Sequence, residues 1–215
     1  MKTIHKFLSA GACLALFALP AAGSVIYDNG PSDYYSIWYS DPSYAEFLVA
    51  QDFVLGSGAS EITDIHWWGS YGSSNTPAAD DFTVTIYDTA AAAALPGAVV
   101  YSNHVGSVSR TFVQRVGLFN FYAFSLDLDP ISLTAGAQYW LEIQNDTDGH
   151  TWGWCQTTPF GTHGQYIEGS WFSLEGEMAF NLTNDGKTVV PEPASVALVG
   201  LGLAGLARRR FFRRG

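Results

Sequence analysis

The chain has 215 residues, with 20 acidic and 10 basic side chains. The basic residues concentrate at the two ends, so residues 24–190 hold three of them against 19 carboxylates, a formal charge of −16. This segment lacks the clustered Lys and Arg that bind nucleic acid or anionic lipid, and we expect no nucleic-acid partner. Its 28 aromatic residues exclude disorder caused by a lack of apolar surface. Its length suits one domain with a sizeable core.

The first 23 residues have the pattern of a secretory signal peptide. Lys2 and Lys6 precede an apolar run from Phe7 to Leu19, and small residues follow as far as Gly23. A positive start, a short apolar run and a small-residue cleavage site are typical of such signals. The alternative is a retained anchor helix, but a helix of the run's 13 residues spans only about 20 Å of a bilayer core of about 30 Å. We predict export and removal of residues 1–23.

If the signal peptide is removed, Cys155 is the one cysteine that remains in the chain. An intrachain disulfide is then excluded, although an exported compartment permits such bonds. Cys155 stands among bulky aromatic residues, which predicts a buried thiol.

Residues 24–186 have the pattern of an all-β domain. Apolar residues alternate with polar ones in Phe82–Tyr87, Tyr139–Gln144 and Met178–Thr183, and a period of two is the mark of a half-buried strand. Six further strands are predicted at 47–55, 62–68, 99–102, 119–128, 151–156 and 171–174. Turn residues separate them, and the alanine-rich stretch 89–95 is too short for a stable helix. We predict an antiparallel β-sandwich that is jelly-roll-like.

Tryptophans supply the candidate ligand surface. Strand alternation predicts that Trp140 faces away from the core, that Trp68 shares a face with His66, and that Trp152 and Trp154 share one face. Exposed aromatic rings stack on sugars and often mark binding surfaces, so these four residues are candidates for carbohydrate binding. The alternative is that they pack under loops or against the second sheet.

Carboxylate pairs suggest a hydrolase as the alternative function. Glu175 and Glu177, or Asp127 and Asp129, stand two residues apart and would share a strand face. A glycosidase needs two carboxyls about 5–10 Å apart. Such pairs arise by chance in so acidic a segment, and no nucleophile elbow, metal-binding helix or phosphate loop is present. We therefore expect a protein that is not an enzyme.

Metal binding has two weak candidates. Asn145, Asp146 and Asp148 offer alternating oxygen ligands before a turn glycine, which suggests calcium, although a calcium ion needs six to eight oxygens. His150 and His163 flank the predicted strand 151–156 and would converge in space. We expect instead that the turn is solvated and that the two histidines are exposed in loops. No cofactor is expected, and calcium is the metal that remains a candidate.

The C-terminal segment 187–215 has three parts in order. It contains Pro191-Glu192-Pro193, then an apolar helix predicted over 194–207, then an arginine cluster over 208–214 that begins with Arg208, Arg209 and Arg210. Proline fits the first turn of a helix, and the arginines would hold the terminus on the cytoplasmic side of a membrane. A plain C-terminal anchor is the alternative, but it leaves the Pro-Glu-Pro tripeptide unexplained.

This ending resembles the PEP-CTERM sorting signal of Gram-negative bacteria. The resemblance implies that an exosortase, a membrane protease, is a partner, and that the protein belongs to exopolysaccharide-producing, biofilm-forming cells. The body is similar to the β-sandwich ectodomains that precede this signal, over residues 62–69, 81–87, 95–97 and 136–141. We expect transient anchoring in the inner membrane, a final location in the cell envelope or extracellular matrix, and a structural or adhesive domain that binds exopolysaccharide.

Overall fold

The computed structural model describes residues 24–185 apart from 45, 73–75, 93, 148 and 159–160. These residues form thirteen strands and no helix. The strands are β1 (Ser24–Asp28), β2 (Ser32–Tyr39), β3 (Leu48–Val54), β4 (Glu61–Tyr71), β5 (Phe82–Ala90), β6 (Leu95–Gly106), β7 (Ser109–Val116), β8 (Phe119–Ser132), β9 (Gln138–Asn145), β10 (Trp152–Thr157), β11 (Thr162–Ile167), β12 (Ser170–Glu175) and β13 (Phe180–Asn184). The predicted signal peptide and the predicted helix 194–207 lie outside the described residues.

The strands form two antiparallel sheets, which confirms the predicted all-β class. In the seven-stranded sheet, β4 pairs with β8 along one side and with β13 and β10 along the other. Strand β7 extends this sheet beyond β8, while β1 and β2 extend it beyond β13 and β10. The six-stranded sheet has the order β12-β11-β3-β9-β5-β6.

The core lies between the two sheets and follows the predicted alternation. Phe82, Val84 and Ile86 of β5 are fully buried, and they pack in one apolar cluster with inward residues of β4 and β8. The ring of Trp67 in the seven-stranded sheet lies 5.2 Å from that of Phe82, edge to face. Such contacts join the sheets into a β-sandwich, because each sheet buries one apolar face against the other.

Four strands, β1, β2, β7 and β11, were not predicted, and the backbone or the sequence explains this for β2, β7 and β11. Tyr34 in β2 has a positive φ of 56°, and β7 carries a bulge next to Phe112, so neither strand alternates cleanly. Strand β11 includes Gly164 and mostly polar residues. Within the alanine-rich stretch, Ala91, Ala92 and Ala94 lie in the turn that connects β5 and β6.

Cys155 lies in β10 and is fully buried, which confirms the prediction of a buried thiol. Burial raises the pKa of its thiol to about 12. Between Ser24 and Asp185, the described residues contain no helix of the length and apolarity needed to cross a membrane.

Candidate functional site

Two of the four candidate tryptophans are core residues. Trp152 and Trp154 share one face of β10, as predicted, but both are completely buried. The Trp152 ring packs 5.3 Å from that of Phe82, and the indole N–H of Trp154 donates to the carbonyl of Ala179 at 3.0 Å. Neither ring is exposed, so for these two residues the alternative of packing against the second sheet holds. Strand β10 lies inside its sheet between β4 and β2, and the shared face turns toward the second sheet.

Trp140 faces away from the core, as alternation predicts, yet it is only 3 % exposed. A Cβ on Gly164 would lie 3.3 Å from the Trp140 ring and 3.3 Å from Pro96, and 3.4 Å from Trp171. The indole is therefore covered by the β11–β12 hairpin and the start of β6. The expected exposure is wrong because residues distant in sequence close over this face of the six-stranded sheet.

Trp68 is the candidate tryptophan that remains partly exposed. It lies on the outer face of β4, the face it shares with His66, and it borders a hollow of about 350 Å³. We call this hollow the Trp68 groove. The residues lining it are His66, Trp67, Trp68, Ser109, Thr111, Ala123, Phe124, Ser125 and Asn181.

Strand register brings the polar lining together from four strands. Asn181 of β13 pairs with His66, which pairs with Ser125 of β8, which in turn pairs with Ser109 of β7. This cross-strand row runs from Asn181 to Ser109. The next row on the same face places Trp68 beside Ala123, and Ala123 beside Thr111. Small side chains next to the indole leave the space that forms the hollow.

Packing from one side fixes the Trp68 indole. It contacts a small cluster on the outer face that contains Phe121 and the buried Cys155. Burial raises the pKa of the Tyr34 hydroxyl, and the neighbouring Trp68 side chain partly opposes that shift. The Tyr34 ring in turn packs edge-on against Phe121 at 5.7 Å. An aromatic ring held on one side and open on the other is suited to stacking on a flat apolar ligand face.

The Asp127 and Asp129 pair lines a separate hollow of about 680 Å³. Both are exposed on β8 and share a face, as predicted. The facing wall comes from β6 and contributes Tyr101, Ser102 and Asn103, none of them an acid. The two carboxyls of a glycosidase flank the bond that is cleaved, and this hollow presents its acids from one strand alone.

Glu175 and Glu177 do not form a strand pair. Strand β12 ends at Glu175, and Gly176 has a φ of 115°, a backbone conformation outside the strand region. The predicted alternation therefore stops between the two glutamates. Glu177 lies instead near Asp52, and burial together with that carboxylate raises its pKa.

The predicted calcium ligands are engaged elsewhere or exposed. Asn145 is buried, and its side-chain oxygen accepts the backbone N–H of Asp81 at 2.8 Å. Asp146 is exposed, and Asp148 lies outside the described residues. Throughout the described ranges, no three residues of His, Cys, Asp or Glu form a group that could hold a metal ion.

His163 is not the exposed loop histidine that we expected. It lies fully buried in β11, where its Nδ1 is 2.8 Å from the carbonyl oxygen of Gly176. Burial lowers its pKa. Its ring packs against Trp38 at 4.7 Å, so the histidine belongs to the packing between strands.

Four acids that the sequence pattern did not single out are buried, and one of them is Glu142 of β9. It is 2 % exposed and lies on the outer face of the six-stranded sheet. Burial raises its pKa to about 7, and the hydrogen bond from Tyr87 partly opposes that shift. In the sequence, Glu142 stands within the alternating segment Tyr139–Gln144. Alternation alone predicts that its side chain faces solvent.

Comparison with known proteins adds two matches. The family described as Domain of unknown function (DUF7901) matches residues 27–180, and the PEP-CTERM protein-sorting motif matches residues 189–214. No curated protein and no solved structure matches the chain. The motif implies export and exosortase processing in a Gram-negative bacterium, which confirms the resemblance seen at Pro191, Glu192 and Pro193. The chain thus belongs to the family described as Domain of unknown function (DUF7901), and a PEP-CTERM sorting motif follows that domain.

Proposed function

We propose that this protein is a component of the cell envelope or extracellular matrix whose jelly-roll-like sandwich binds exopolysaccharide in the Trp68 groove. The signal peptide would direct export, and the apolar tail would hold the protein in the inner membrane until an exosortase cleaves it. The observation that carries the binding role is the partly exposed Trp68 indole beside a hollow lined by polar side chains.

The chemistry of the groove supports sugar binding. A pyranose ring has an apolar C–H face and a rim of hydroxyl groups. An indole accepts the apolar face, and placed polar groups fix the orientation of the rim. Trp68 supplies the ring, while Ser125 and Asn181 supply hydrogen-bonding groups on neighbouring strands.

We propose binding rather than hydrolysis. Asp127 and Asp129 lie on one wall of their hollow, and the backbone at Gly176 separates Glu175 from Glu177. Neither pair offers the arrangement of two carboxyls across a bond on which glycoside cleavage depends.

The test of binding is retention of the full chain, purified in detergent, on exopolysaccharide from the producing organism. Trp68→Ala should weaken retention about five- to thirtyfold, because a sugar–aromatic stack contributes on the order of 1–2 kcal/mol. Thr111→Val removes one exposed hydroxyl of the groove with little change of shape and should weaken retention by a smaller factor.

The matched control is Phe172→Ala, which removes an aromatic ring that is 49 % exposed on the other sheet. It should leave retention unchanged. Thermal unfolding of each variant separates a binding defect from misfolding. Equal retention of the parent, Trp68→Ala and Thr111→Val proteins, all folded, would contradict the binding role.

The sorting role has its own experiment. Replacement of Pro191, Glu192 and Pro193 by alanine should leave the tail attached and the protein in the membrane fraction, as followed by mass spectrometry. Replacement of residues 187–189 by alanine is the neighbouring control and should still be processed. Normal processing of the first variant would refute the assignment of those residues to sorting.

A further inference from the structure

The polar lining of the Trp68 groove carries no charged side chain. Three hydroxyls, one amide and one imidazole surround the indole. Hydroxyl and amide groups both donate and accept hydrogen bonds, and a neutral imidazole does the same through its two nitrogens. A sugar hydroxyl likewise donates and accepts, so such a lining matches an uncharged sugar without leaving a buried charge.

Among the described residues, the cationic side chains are those of Arg110 and Arg115, and both lie beside the groove without entering it. Both belong to β7, the strand that supplies Ser109 and Thr111. Arg110 points to the opposite side of the sheet, where its Nη1 lies 2.9 Å from Asp80, and its guanidinium lies over the Tyr122 ring at 5.2 Å. Arg115 donates from Nε to the carbonyl of Gly117 at 3.0 Å, at the far end of the strand.

Carboxylates stand at one end of the groove instead. Asp64 lies two residues before His66 on the same strand face, and Asp127 lies two residues after Ser125. The two acids pair with each other across β4 and β8. Asp64 is nearly buried and accepts hydrogen bonds from the hydroxyls of Thr63 and Thr183 at 2.6 and 3.0 Å.

These charges decide which sugars fit. An anionic sugar would enter a groove in which no described residue supplies a cation, beside carboxylates and on a segment of formal charge −16. Desolvating an unpaired anion is unfavourable, and like charges across an interface suppress binding. A sugar with only hydroxyl or acetamido groups meets neither penalty.

We infer that the Trp68 groove selects uncharged sugar units, of the hexose or N-acetylhexosamine class, and rejects uronic-acid and sulfated glycans. This inference rests on the proposed binding function. It extends that function by naming the charge class of the polymer that the groove recognises.

The experiment measures affinity of the full chain in detergent for three soluble probes at pH 8. The probes are cello-oligosaccharides, chitin oligosaccharides and alginate oligosaccharides. At least one of the two neutral probes should bind, with loss on Trp68→Ala, and the alginate probe should bind at least about tenfold more weakly. Added salt should leave the neutral affinity unchanged, because no ion pair contributes to it.

A gain-of-function variant makes the test independent of simple loss of folding. Ser125→Lys places a cation in the lining and should raise affinity for the alginate probe at least about tenfold while the chain stays folded. Phe172→Lys adds the same charge on the other sheet and should not do so.

The outcomes separate the inference from the function beneath it. Affinity for alginate oligosaccharides that exceeds the neutral affinity and is lost in Trp68→Ala would overturn the charge selectivity and leave sugar binding intact. If no probe and no native exopolysaccharide binds in a way that depends on Trp68, the proposed function and the inference both fail.

Discussion

The hydroxyl of Tyr87 donates a 2.5 Å hydrogen bond to the carboxyl group of Glu142 on the neighbouring strand. This pair lies on the covered face of the six-stranded sheet, where Glu142 is 2 % exposed. None of the six strands contains Lys or Arg, so no cation from this sheet compensates the carboxylate when it ionises.

Glu142 should therefore make the domain less stable as pH rises. Burial raises its pKa from the ordinary 4.5 to about 7, so the folded state keeps a proton that the unfolded state releases between these values. The stability from this group is present below pH 4.5, declines up to about pH 7 and stays low above it. Glu142→Gln should raise the free energy of unfolding at pH 8 by roughly 2 kcal/mol and flatten its dependence on pH.

Urea unfolding at a series of pH values measures this effect. Glu175→Gln, on an exposed residue of the same sheet, should leave the profile unchanged. The explanation is wrong if the Glu142→Gln profile keeps the parent slope between pH 4.5 and 7.

Arg110 and Asp80 form a partly buried ion pair, with side chains 21 % and 3 % exposed. Asp80 also accepts hydrogen bonds from Tyr71 and Asn145, so the pair ties β7 to β4 and β9. Removing one partner leaves an uncompensated buried charge, and Arg110→Met should destabilise the domain by about 3 kcal/mol. The exposed Arg115 provides the control, since Arg115→Met should change stability by less than about 0.5 kcal/mol. Equal urea midpoints for the two variants would show that the Arg110–Asp80 ion pair does not stabilise the packing of β7.

Gly69 allows Trp152 to pack against the backbone of β4. A Cβ at position 69 would lie 2.6 Å from atoms of the Trp152 ring, and that ring is fully buried in the core cluster. Gly69→Ala should destabilise the domain by about 2 kcal/mol through overpacking. At Gly56 no atom lies within 4 Å of the added Cβ, so Gly56→Ala should be close to neutral. Thermal unfolding compares the two, and a neutral Gly69→Ala would show that β4 or the ring shifts without strain.

The Cys155 thiol should be unreactive in the folded protein. The residue is 0 % exposed, and burial raises its pKa to about 12, so the nucleophilic thiolate is scarce at pH 8. Site-resolved mass spectrometry should find Cys155 unmodified by iodoacetamide under native conditions and modified in urea. Rapid native alkylation at this position would show that β10 opens readily.

Local patterns in the sequence predicted what depends on neighbouring residues alone. Phe82, Val84 and Ile86 were placed on one face because side chains alternate along any strand, and the sheet buries that face. The sorting motif was equally accessible, since Pro191, Glu192 and Pro193 are contiguous with the parts that follow. Strand β7 was not predicted because its bulge at Val113 interrupts the alternation of inward and outward side chains.

The sequence by itself determined the all-β class, the inward faces of the regular strands and the sorting tail, because periodicity and contiguous motifs are properties of a single stretch of chain. Only the tertiary structure decided which tryptophans meet solvent. Trp152 and Trp154 were known to share a face, but the position of β10 inside its sheet turned that face to the core. Trp140 was covered by Gly164 and Trp171, which are distant in sequence, whereas the small residues opposite Trp68 came together only through strand pairing and left its ring open.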